Sequence, residues 1–145
     1  MSESEAQQSR IDAIVGGVRE SSFREQRERY CQYLRTALQL PVRVTGIEDF
    51  QWEEFYVFGP GDPKEYKRLC RKMPSYRDTY ELLAIESDVA SEWMLLPHED
   101  LAARIRRISD DKQFILGLSE LKACEQNSAA HQLLGDFYRW LAMNR

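Results

Sequence analysis

The chain has 145 residues, 43% hydrophobic and 11% aromatic, which is the size of one ordinary domain and enough apolar material to exclude wholesale disorder. No apolar run approaches the roughly 18–20 residues needed to cross a bilayer, and the polar, acidic opening MSESEAQQSR is the wrong chemistry for a secretory signal, so a cytoplasmic protein without a membrane partner is expected. The net charge of −4 is unevenly spread: residues 47–111 hold 15 acidic against 9 basic side chains, which disfavours a phosphate-binding surface there and allows a cation or a basic partner.

Residues 1–20 lack a periodic apolar pattern, and Gly16-Gly17 interrupts the cluster of Ile11, Ile14 and Val15. They read as a mobile arm carrying at most a weakly docked helical turn. Ser22 followed by Glu25 makes a capping box, and Phe23, Arg27, Tyr30, Leu34 and Leu38 recur at helical spacing, so a helix is expected from about residue 22 to 39. Val42, Val44 and Ile47 then alternate with polar residues as in a half-buried strand.

The next stretch sets carboxylates against aromatics: Glu48, Asp49, Phe50, Trp52, Glu53, Glu54, Phe55, Tyr56 and Phe58. It reads as an irregular strand-to-turn segment with free backbone carbonyls. Gly59-Pro60-Gly61 turns the chain, and Asp62-Pro63 starts a helix with Asp as N-cap and Pro in its first turn. That helix runs to about Met73, with Tyr66, Leu69, Cys70 and Met73 inward and its lysines and arginines on a solvated face. Strands are expected over residues 79–86, 103–106 and 114–116, the last two joined by the Ser109–Lys112 turn. Leu118, Leu121 and Cys124 suggest a short helix, and a final helix spans about residues 128–143 with Phe137 and Trp140 inward.

These elements describe an α+β domain over residues 21–145: a small antiparallel, partly barrel-like sheet of four or five strands with N-terminal, middle and C-terminal helices. Enzyme chemistry is not expected. His98 and His131 stand in no nucleophile pattern, no His/Cys spacing suits zinc, and Cys31, Cys70 and Cys124 read as free thiols. A sequence pI near 5.3 argues against nucleic acid. The carboxylates suit a hard cation instead, because calcium accepts six to eight oxygens in irregular geometry. Glu48, Asp49, Glu53 and Glu54 are the main candidate ligands, with Asp62, Asp110 and Asp111 secondary. The alternative is a protein-interaction module anchored by Trp52, Phe55 and Tyr56.

Three blocks carry a further resemblance: Leu38-Gln39-Leu40-Pro41-Val42-Arg43-Val44, Phe114-Ile115-Leu116-Gly117-Leu118-Ser119-Glu120-Leu121, and Leu134-Gly135-Asp136-Phe137-Tyr138-Arg139-Trp140-Leu141. Together the layout resembles the small calcium-binding protein family first known from cyanobacteria (CcbP-like), with residues 62–78 as an insertion. The resemblance implies calcium binding through surface carboxylates in a buffering or sensing role. All three blocks are core motifs, so the ligand candidates rest on charge placement alone.

Overall fold

The structure, a computed structural model, describes residues 2–16 and 21–145. Among them five strands form one open antiparallel sheet in the order β4-β3-β2-β1-β5, with β1 at Val42–Gly46, β2 at Thr79–Glu86, β3 at Ala102–Arg107, β4 at Gln113–Gly117 and β5 at Leu121–Ala123. The sheet does not close, so β4 and β5 are edges. Alternation sets its inner face: Val44, Tyr80, Leu82, Ile105, Leu116, Leu121 and Ala123 are buried. A bulge between Leu82 and Ala84 keeps Ile85 on that face.

Helices α1 (Glu3–Val15), α2 (Phe23–Ala37) and α5 (Ala129–Asn144) complete the core. The Ser22–Glu25 capping box starts α2 as the sequence indicates, and Ser128 caps α5 through the His131 amide at 3.1 Å. Trp140 of α5 is the largest buried side chain; its ring stacks on Phe23 at 5.2 Å and tilts against Tyr30 at 5.4 Å. Short helices α3 (Glu54–Val57) and α4 (Pro63–Leu69) occupy the long connection from β1 to β2, which also begins with a 3-10 turn at Gln51–Glu53.

Three expectations change. Leu118–Cys124 is not a helix: a 3-10 turn at Leu118–Glu120 leads into β5, whose Leu121 and Ala123 point inward while Lys122 points out as it pairs with β1. The acidic–aromatic stretch is helical rather than extended, so some of its carbonyls are already used, as in Phe58 N–H to Glu54 at 3.0 Å. The N-terminal segment, expected as an arm, is over residues 2–16 a helix that packs on α2 and α5 with Ile11 and Val15 in the core. Gly16 adopts the left-handed conformation that ends it, at φ 87°. Met1 and residues 17–20, the rest of that expected arm, lie outside the described residues.

Charge joins apolar burial in holding α1. Asp136 of α5 is buried and accepts from Arg10 Nε at 2.8 Å, Arg10 Nη2 at 3.0 Å and Gln7 Nε2 at 3.0 Å. Deleting residues 1–16 should lower the urea midpoint, because it takes Ile11 and Val15 out of the core and removes the Arg10 and Gln7 donors from Asp136; an unchanged midpoint would show that α1 contributes nothing. Trp140→Ala should cost roughly 3–5 kcal/mol in the same assay, the range for deleting a buried aromatic.

Candidate functional site

Four of the chain's carboxylates line one groove of about 240 Å³. The chain leaving β1 brings Glu48 and Asp49, the start of α3 brings Glu54, and the 3-10 turn before β5 brings Glu120. Leu95 and Tyr138 supply apolar walls, and Arg145 at the end of α5 adds one cation. Pairing of Ile47 N–H with the Glu120 carbonyl at 3.0 Å fixes the two halves against each other. Glu48 and Glu54 are exposed and Asp49 is half-buried, and none of the three carboxylates has an ion pair or side-chain hydrogen bond among the described residues.

The other sequence candidates are placed elsewhere. Glu53 turns inward and is completely buried, where it accepts from Phe50 N–H at 3.2 Å, Tyr76 N–H at 2.9 Å, Ser75 Oγ at 2.7 Å and the Tyr66 hydroxyl. Its lone pairs are committed to the protein. Burial and the neighbouring Glu53 push the Tyr66 hydroxyl pKa well up, which keeps it a donor. Asp62 caps α4 through the Lys64 amide at 3.3 Å. Asp110 is held by Arg107 at 2.8 Å, and the Arg107 guanidinium lowers its pKa. Asp111 sits in the β3–β4 turn at φ 61°, with Arg106 3.9 Å away.

Of the three aromatic anchors, two are occupied. Trp52 donates to the Pro74 carbonyl at 2.6 Å, and Tyr56 stacks on Tyr66 at 5.5 Å while its hydroxyl donates to Glu65 at 3.0 Å. Phe55 alone stays 56% exposed.

Asp100 behind the groove and Glu120 on its wall are two carboxylates that no local pattern in the sequence marks. Asp100 is buried and accepts from Leu101 N–H at 2.8 Å, Ser119 N–H at 3.2 Å and Ser119 Oγ at 2.6 Å. Glu120 accepts from Gly117 N–H at 3.1 Å and Leu95 N–H at 3.3 Å. A side chain at Gly117 would displace both carboxylates from their present positions. No ion pair among the described residues involves Asp100 or Glu120. Burial pushes Asp100 up to about 7 against the Ser119 bonds that lower it, and burial raises Glu120 as well. In sequence these residues look like ordinary surface acids beside an apolar run; only their depth distinguishes them.

No family model and no curated protein sequence matches the chain. Two solved structures share its fold. The crystal structure of CcbP from Anabaena superposes with a TM-score of 0.61 over 98% of this chain and 94% of the other, at 17% identity. A calcium-binding protein in its calcium-binding form gives a TM-score of 0.58 over 99% and 97%, also at 17% identity. Likeness at this identity establishes the α+β architecture.

The raised carboxylates set a pH dependence of stability. A carboxyl whose folded pKa lies above its unfolded value contributes most below the unfolded value and loses that contribution as pH rises through the folded one. Asp100 should therefore lower the unfolding midpoint between pH 3.8 and about 7, and Glu120 acts with the same sign. Asp100→Asn should flatten that decline in thermal melts across the window; an unaltered slope would show that Asp100 does not titrate there.

Proposed function

We propose that the protein binds calcium in the carboxylate groove through Glu48, Asp49 and Glu54, buffering or sensing the ion rather than acting as an enzyme. One observation carries the reading: three carboxylates without ion pairs among the described residues line a single groove, on a fold shared with a solved calcium-binding protein.

The donor chemistry fits a hard cation, because carboxylate oxygens without competing ion pairs are what calcium prefers. The geometry fits only an open site. Among the described residues no three His, Cys, Asp or Glu side chains already converge on one point. Binding then requires the exposed Glu48 and Glu54 side chains to swing toward the ion, with water completing its shell. That ordering costs side-chain entropy, which places the affinity in the weaker part of the calcium range, a Kd of roughly 10⁻⁶–10⁻³ M. Magnesium should compete poorly, since it demands a stricter octahedron and gives up water reluctantly.

Calorimetry and amide-shift mapping with calcium test this. Saturable binding with shifts centred on residues 47–54 and 119–120 is expected. Glu48→Gln/Glu54→Gln should weaken it about tenfold or more, since affinity follows ligand charge count. Glu53→Gln is the wrong probe, because it disturbs a buried structural network. Absence of saturable binding below several millimolar calcium would overturn the reading.

A further inference from the structure

We infer that the outer face of α4, together with Phe55 and Phe58, docks the protein on an anionic lipid surface. Lys64, Lys67, Arg68, Arg71 and Lys72 recur at intervals of three and four, so they share one side of α4 and the turn that continues it. Tyr66, Leu69, Cys70 and Met73 take the opposite side and are half-buried. All five cations are exposed, and none has an ion-pair partner among the described residues. Glu65, the single carboxylate of α4, is engaged by the Tyr56 hydroxyl at 3.0 Å.

The apolar component sits on the adjoining α3 and its turn. Phe58 is 79% exposed and Phe55 56%, and neither ring has a polar atom that water could satisfy. Phe55 meets Tyr56 edge-on at 5.1 Å, and Tyr56 stacks on Tyr66 of α4, so the Phe55 ring and the cationic helix belong to one packed unit, with Phe58 at the C-terminal cap of α3. Arg68 is close enough to act electrostatically on the Tyr56 hydroxyl. The unit is firmly mounted: Arg107 of β3 donates to the carbonyls of Cys70 at 3.0 Å, Arg71 at 2.8 Å and Met73 at 2.9 Å.

Clustered cations beside exposed aromatic rings match a bilayer interface, where the charges meet acidic headgroups and the rings enter the headgroup–acyl boundary. The chain's −4 net charge favours lipid over nucleic acid. A polyanion wrapping beyond the stripe meets the protein's carboxylates, whereas a bilayer needs one face only. The expected absence of a membrane partner rested on transmembrane length, and no helix among the described residues is long and apolar enough to cross a membrane. Peripheral docking needs no such helix.

The test is co-sedimentation of the full chain with vesicles of phosphatidylcholine alone and of phosphatidylcholine mixed with phosphatidylserine, at low and high salt. Binding only to the phosphatidylserine vesicles, lost at high salt, is expected. Lys67→Gln/Arg68→Gln should weaken it about 25-fold, about fivefold per cation, and Phe58→Ser should weaken it without changing the salt dependence. All three substituted side chains are exposed, so far-UV dichroism and the unfolding midpoint should match the parent. Equal binding of parent and Lys67→Gln/Arg68→Gln chains, or no binding to acidic vesicles at low salt, would overturn the inference. So would binding of a single-stranded oligonucleotide through the same residues without vesicle binding, which would reassign the face to nucleic acid.

Discussion

Two buried charges, Glu53 and Arg107, hold the excursion between β1 and β2 to the sheet. A buried ion without compensation costs several kcal/mol. Glu53 meets that demand with donors at positions 50, 66, 75 and 76, so a single carboxylate ties the entry, the middle and the exit of the excursion together. Arg107 works from the sheet side, binding Asp78 at 2.9 Å, Asp110 at 2.8 Å and three carbonyls after α4, with its guanidinium over the Phe114 ring. Burial opposes its charge, yet the bonds to Asp110 and Asp78 outweigh that and leave its pKa raised. The two networks join at the 75–78 turn, where Ser75 N–H and Arg107 both donate to Asp78.

That turn also reaches the sheet directly. Thr45 Oγ1 donates to the carbonyls of Tyr76 and Asp78, and Gly46 N–H donates to Tyr76 at 3.1 Å. Gly46 has no Cβ because Tyr76 occupies that space. With the exit of the excursion pinned, its entry is held over the end of β1, which puts Glu48, Asp49 and Glu54 opposite Glu120. The groove is therefore a by-product of how the excursion is fastened, and the carboxylate that fastens it is withdrawn from the groove.

The excursion also separates charge. Its entry is acidic and its α4 face is basic, so two surfaces of opposite sign are carried on one connection. Within the excursion Trp52 packs on both Tyr56 and Tyr66, which stack on each other, and so joins the acidic entry to α4.

Much of this was legible in the chain itself. Ser22 with Glu25 and Asp62 with Pro63 announced helix starts because capping is local chemistry, settled within three or four residues. Alternation announced β2 and β3, and clustered charge singled out Glu48, Asp49, Glu53 and Glu54 together. Periodicity and local charge could not say that adjacent Glu53 and Glu54 part company, one into the interior and one into solvent; donors up to 23 residues away decide that. Nor could they show α1 docking, since its anchor Asp136 lies 126 residues from Arg10. The depth of Asp100 and Glu120 and the pairing of β5 with β1 are likewise long-range facts. The sequence alone determined the capped starts of α2 and α4, the alternating strands β2 and β3 and where acid collects, because those follow from neighbours along the chain. Only the tertiary structure decided which acids face a common groove and which are buried, because burial depends on what other parts of the chain pack above them.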